Sequence, residues 1–261
     1  MPNHPIDIHT VPCLQDNYAF IIHNRTTGRA VVVDVPDAAP ILEQLRGLNA
    51  VVSDVFLTHH HWDHIDGLDD LRAGLNGASF NVIGATADQH RLPPLDIAVA
   101  ESESIDICGL PGHILDVSGH TMGHIALHVP ELAAAFTADS LMAMGCGRLF
   151  EGTPAQMWDS MLKLRALPDD TIIYSGHEYM GGNMAFALSL GEENEDLANR
   201  ADLVTAMRDQ GLATVPSMLS TEMATNPFLR ADVPALMAAV GMPGAAPLDV
   251  FTEIRSRKDK F

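Results

Sequence analysis

The chain has 261 residues, 47% of them hydrophobic and 19% charged, so it is long enough to bury a substantial core and too apolar to remain disordered. Its 34 acidic residues against 15 basic ones give a formal net charge of -19. A field of that sign repels nucleic acid, and any anionic ligand would need a local cluster of cations to receive it. Three cysteines, Cys13, Cys108 and Cys146, form no CxxC pair and read as buried thiols rather than as a disulfide framework. No apolar run approaches the about 18 residues that span a bilayer. The opening residues MPNHPIDIHTV lack the basic start and apolar stretch of a secretory signal. A cytoplasmic protein with no nucleic-acid or membrane partner is expected.

Over residues 6–35 the apolar stretches IDIHTVPCL, YAFIIHN and RAVVVDV alternate with turn residues and predict three strands, the last two joined as a hairpin across residues 26–28. Residues 37–48 predict a helix, with Asp37 as N-cap and Ile41, Leu42, Leu45 and Leu48 at helical spacing. VVSDVFLTH returns to strand and ends on a histidine run. A helix over residues 67–75 and a strand over residues 80–85 follow, then four strand candidates, SIDICG, HILDVSG, HIALHVP and AAAFTAD, each closed by Gly, Pro or Asp. Thr153 as N-cap and Pro154 at the first helical position open a helix over residues 153–167. TIIYSGHE, from Thr171, is one more strand ending in histidine. Beyond Tyr179 helical spacing dominates, in NMAFALSLG, EDLANRADLVTAMRDQG and LDVFTEIRSRK, with a loop expected at residues 240–247. The change of pattern predicts a β-rich domain over residues 1–179 and a small helical domain over residues 180–261.

The run THHHWDH, residues 58–64, carries the chemistry. His59, His61, Asp63 and His64 present three imidazoles and a carboxylate within six positions. A histidine run buried without metal would need many hydrogen-bond partners to offset its desolvation. Imidazole nitrogen and carboxylate oxygen suit zinc, iron or manganese, and no cysteine lies nearby to suggest a purely structural zinc.

With this run the chain resembles the metallo-β-lactamase-fold hydrolases, whose HxHxDH signature sits in a loop at the end of a strand. SGHTMGH from Ser118, FTADS from Phe136 and YSGHE from Tyr174 look like further segments of that family. The resemblance implies an α/β (α+β) fold, a four-layer αββα sandwich with a small C-terminal helical domain. It also implies two divalent metals, with zinc foremost and iron or manganese as alternatives. His59, His61 and His120 would hold one metal, Asp63, His64 and His177 the other, and Asp139 would bridge. Two metals a few ångströms apart lower the pKa of a water between them, so a hydroxide is the implied nucleophile, with Asp63 and Asp139 as the catalytic carboxylates. His60, His113, His124 and His128 are expected to be structural.

A narrower likeness is to the hydroxyacylglutathione hydrolase (glyoxalase II) family, carried by VPCLQDNYAFII, MGCGRLFEGTPAQMW, GHEYMGGN, NPFLR and RSRKDKF in family order. It implies a glutathione thioester as substrate, with Arg148, Arg255 and Lys258 receiving the glutathione carboxylates and Tyr179 adding a hydroxyl donor. Phe150 stands where some relatives have tyrosine, and Ala185 replaces a basic residue often found after GHEY. The implied reaction is hydrolysis of a 2-hydroxyacyl thioester such as S-D-lactoylglutathione, by a monomer or weak dimer. Two rivals share the fold: a glutathione persulfide dioxygenase with one iron, which would not need the full second set Asp63, His64 and His177, and a lactonase or similar hydrolase, which would not need RSRKDKF.

Overall fold

The computed structural model describes residues 5–261, and its contacts divide the chain into two units. One takes the chain up to Asp116 together with Gly123–Phe136; the other takes Val117–Met122 with Thr137–Phe261.

In the first unit, β1 (Ile6–Cys13), β2 (Asn17–Asn24) and β3 (Arg29–Val33) form an antiparallel meander, running from Ile6 opposite Asn24 to Cys13 opposite Asn17. Asp37, at an extended φ of -149°, caps α1 (Ala38–Leu48) by accepting from Ala39 N at 3.0 Å, as its sequence position predicts. The helix turns the chain back into β4 (Val51–Phe56), which runs parallel to β3. A second crossover, through α2 (Trp62–Ile65) and α3 (Leu68–Gly74), leads to β5 (Asn81–Ala85), followed by β6 (Ile97–Val99). The sheet order is β1-β2-β3-β4-β5-β6.

Helices α1 and α3 press Ile41, Leu42, Leu45, Leu68 and Leu71 onto Val11, Ala19, Ile21, Val32 and Val55 of that sheet. The other side chains of β2 face away from those helices, and Phe20 meets Phe136 at a ring distance of 5.6 Å. Cover on both faces explains why all eight residues of β2 are buried and why the strand reads as an unbroken apolar run. Phe136 belongs to the second sheet, which contains β7 (Ser104–Ile107), β8 (Leu110–Asp116), β9 (Ile125–Val129) and β10 (Ala134–Ala138).

In the second unit a short hairpin, β11 (Leu141–Met142) with β12 (Gly145–Cys146), precedes α4 (Pro154–Arg165). Thr153 and Gln156 close a reciprocal capping box at the start of α4. Then come β13 (Ile172–Ser175), α5 (Met180–Ser189), α6 (Glu195–Asp209), β14 (Ser217–Met218), α7 (Leu219–Thr225), α8 (Pro234–Ala239) and α9 (Pro247–Lys260). The second sheet has the order β14-β13-β10-β9-β8-β7. A chain of aromatic contacts ties the helices together: Trp158 of α4 lies 5.5 Å from Phe251 of α9, which lies 5.9 Å edge-on from Phe228, itself stacked 6.1 Å from Phe186 of α5.

Strand β14 lies beyond Tyr179, where sequence spacing predicts only helices. Like β6, the β11–β12 hairpin and α8, it is too short for a periodic signal. Among the described residues no helix is long and apolar enough to cross a membrane. Phe20→Ala should empty a filled position between the two sheets and lower stability by about 3–5 kcal/mol, read as a fall in the urea unfolding midpoint.

Candidate metal centre

The first unit contributes the histidine run. β4 ends at Phe56, and Ile125 N donates to Thr58 O at 3.0 Å, so the chain leaves the sheet at a fixed point. His59 and His64 are fully buried, while His61 and Asp63 are half-buried. Asp63 and His64 fall on α2, a single turn whose last residues are pinned when Val35 N donates to His64 O at 2.8 Å. Donor atoms of His59 and His61, of His59 and His64, and of Asp63 and His64 lie within 4.8 Å of each other.

One carboxylate that the sequence reading missed orients two of these rings. Asp34, 2% exposed, accepts from Thr58 N at 2.9 Å through Oδ1, and through Oδ2 from Thr58 Oγ1 and His64 Nδ1, both at 2.8 Å. Because the Thr58 hydroxyl gives its proton to Asp34, it must accept from His59 Nδ1, 3.0 Å away. Both histidines are thereby held as Nδ1–H tautomers, with Nε2 left as the basic nitrogen, the arrangement typical of metal-ligating imidazoles. Asn17 likewise steadies Asp63, donating to its backbone O at 2.9 Å and its Oδ2 at 3.1 Å. His60 faces Asp88 instead, Nδ1 to Oδ2 at 2.8 Å, and His124 stacks on His59 with ring centres 4.5 Å apart. His113 and His128 sit opposite each other on β8 and β9, away from the run in the sheet register.

The second unit contributes His120, Asp139 and His177, all buried. His120 Nε2 and His177 Nε2 each lie 3.4 Å from Asp139 Oδ2, so this one oxygen is equidistant from the two imidazoles. His120 Nδ1 donates to Arg148 O at 2.7 Å, which again directs Nε2 inward. A Cβ on Gly147 would lie 1.9 Å from Asp139 O and 2.9 Å from His120 Nδ1, so only glycine permits this approach. Ala138, at a φ of 41°, turns the chain at the end of β10 just before Asp139.

The second unit also carries the predicted substrate residues. Tyr179, 41% exposed, stacks on His177 at 4.5 Å, and Phe150 meets His120 edge-on at 5.3 Å. Arg255 is buried. Its Nη1 donates to Cys146 O and its Nη2 to Asp259 Oδ1, both at 2.9 Å, and its guanidinium lies 5.0 Å from the Phe228 ring centre. Burial pushes the Cys146 thiol up to about 11 despite the neighbouring guanidinium. Lys258 donates to Gly182 O at 3.0 Å and lies 5.2 Å from the Phe186 ring centre. Burial, followed by the charge of Arg255, holds its ammonium below the usual lysine value. Arg148 is exposed and points its Nε at Asp259, 3.5 Å away.

Residues 13–177 match the metallo-beta-lactamase superfamily, and residues 178–261 match the family described as the hydroxyacylglutathione hydrolase C-terminus. A hydroxyacylglutathione hydrolase of Ruegeria pomeroyi is 56% identical over 98% of this chain and 100% of its own length. The chain belongs to the hydroxyacylglutathione hydrolase family. Another member, from a Jannaschia species, is 56% identical over 97% of this chain and 98% of its own length. The fold is the mixed α/β metallo-β-lactamase fold. The BLEG-1 B3 metallo-beta-lactamase is 21% identical with a TM-score of 0.66, covering 85% of this chain and 99% of that one. ETHE1 from Myxococcus xanthus, also 21% identical, gives 0.65 and covers 96% of this chain and 90% of that one.

The residues of this family member fit a divalent metal. They are imidazoles and carboxylates, the outer nitrogens of His59, His64 and His120 are already bonded, and the histidine and aspartate clusters have the spacing an ion requires. Asparagine tolerates the left-handed φ of 57° at position 34 but cannot accept through both side-chain atoms. Asp34→Asn should therefore weaken metal binding by about 10–100-fold while leaving the fold intact, read by chelator competition alongside circular dichroism.

Proposed function

We propose that the chain is a dinuclear-metal thioesterase that hydrolyses S-(2-hydroxyacyl)glutathione, such as S-D-lactoylglutathione, to glutathione and a 2-hydroxy acid. The observation that carries this reading is 56% identity over nearly the whole chain to a protein named hydroxyacylglutathione hydrolase. In this proposal residues 1–179 are the metal-binding catalytic domain and residues 180–261 the helical domain that receives glutathione.

His59, His61 and His120 would hold one metal and Asp63, His64 and His177 the other, with Asp139 available to both. Zinc suits this set of nitrogen and oxygen donors. Bound there, the pair supplies Lewis acidity and a nucleophile at neutral pH. The protein's own groups do the rest. Asp34, Thr58 and the Arg148 carbonyl hold the imidazoles in one tautomer, and Asn17 aims Asp63. Arg148, Arg255 and Lys258 bind the glutathione carboxylates, and the Tyr179 hydroxyl donates to the peptide. Because a thiolate leaves readily near neutral pH, no side chain has to protonate it. We place the enzyme in the cytoplasm as a monomer or weak dimer, in keeping with its three buried, free thiols.

Metal-reconstituted protein should hydrolyse S-D-lactoylglutathione far faster than a simple thioester without the glutathione carboxylates. Equal rates on the two would remove Arg148, Arg255 and Lys258 from substrate reading, and oxygen uptake with glutathione persulfide would favour the dioxygenase instead. Asp139→Ala should lower kcat/KM at least about 100-fold, more than the loss of an outer hydrogen-bond partner costs. Full activity with two bound metals in that variant would defeat the ligand assignment.

A further inference from the structure

Arg148 and Arg255, both assigned above to the substrate, share one carboxylate. Asp259 Oδ1 accepts from Arg255 Nη2 at 2.9 Å and lies 3.5 Å from Arg148 Nε. The two contacts differ in kind. Arg255 and Asp259 are one turn apart on α9, and Arg255 is only 5% exposed, its guanidinium fixed on its other sides by Cys146 O and the Phe228 ring. Arg148 sits on the loop after β12, its side chain 57% exposed and that of Asp259 38% exposed. An ion pair so long and so open to solvent is screened and contributes little. A ligand carboxylate offering two oxygens in the plane of the guanidinium makes the better partner.

We propose that Asp259 is an internal placeholder for a ligand carboxylate: it occupies Arg148 in the ligand-free enzyme and gives it up when glutathione binds. The proposal rests on the reading of Arg148 as a glutathione-binding residue. Its consequence is kinetic. The product glutathione carries the same carboxylates as the thioester, so a competing internal carboxylate opposes both alike. Asp259 thereby raises KM for the thioester and limits inhibition by the product, without acting on the reacting carbonyl.

The test is Asp259→Asn in the metal-loaded enzyme, with Asp259→Ser as a second variant and metal content measured for each. Both variants should lower KM for S-D-lactoylglutathione, and the inhibition constant for glutathione, by about two- to fivefold, the range that loss of an exposed ion pair corresponds to. Turnover of a thioester without carboxylates should stay unchanged. The effect should vanish when Arg148→Ala is combined with either variant. A rise in KM, an equal change with the carboxylate-free thioester, or an effect that survives Arg148→Ala would overturn the placeholder role. Arg148→Ala alone separates the two ideas: if it leaves KM for S-D-lactoylglutathione unaltered, the substrate reading of Arg148 fails and the placeholder with it. If it raises that KM while Asp259→Asn lowers nothing, only the placeholder fails.

Discussion

A single buried carboxylate sets the geometry of the histidine run. Asp34 sits where β3 ends, at a left-handed φ of 57°, and takes bonds from a backbone amide, a hydroxyl and an imidazole. An isolated carboxylate in that position would be expelled by desolvation, and three donors are what keep it there. In return it fixes which nitrogen of His64 is basic directly, and that of His59 through the Thr58 hydroxyl. Two imidazoles separated by five positions in the chain are thus oriented by one group. The apolar sandwich on either side of β2 and β3 holds Asp34 rigidly enough to matter, because a shift at the end of β3 would move both rings.

The second unit solves the same problem with backbone. His120 is oriented by the carbonyl of Arg148, so the loop from Leu141 to Arg148 must be held as firmly as a side chain in a core. Buried polar groups from the helices do this. Glu222 Oε2 accepts from Met144 N at 2.8 Å, Asn226 Nδ2 donates to Met142 O at 3.2 Å and Gly145 O at 3.0 Å, and Asn183 Nδ2 donates to Ala143 O at 3.0 Å. Glu222 is itself paired with the buried Arg200, which also donates to Thr225 Oγ1 at 2.6 Å. Such a network strengthens itself when complete and is costly when one member is lost. Arg148 therefore acts at both ends of its length, its carbonyl on the His120 ring and its guanidinium beside Asp259.

That double use suggests why a helical segment accompanies the metal-binding part in this family. Arg255 and Lys258 lie on α9, and Glu222 and Asn226 lie at α7 and just after it. Within the second unit the helices both supply cations and brace the loop that carries His120's partner.

The sequence by itself determined the elements with enough length to show a period and the histidine run. THHHWDH announced a metal run, the caps at Asp37 and Thr153 placed the starts of their helices to within a residue, and RSRKDKF marked a cationic end to an acidic chain. Only the tertiary structure decided which partners those groups meet. Asp34 lies thirty positions from His64 and could have been suspected only as an acid inside the apolar run VVVDV. His60, expected to be structural, finds its partner in Asp88, and Arg255, assigned from the sequence to a substrate carboxylate, is buried on Cys146 and Phe228. The reason is physical. Periodicity records which face of an element is apolar, whereas a hydrogen bond between distant segments depends on where two chains cross, which no local spacing encodes.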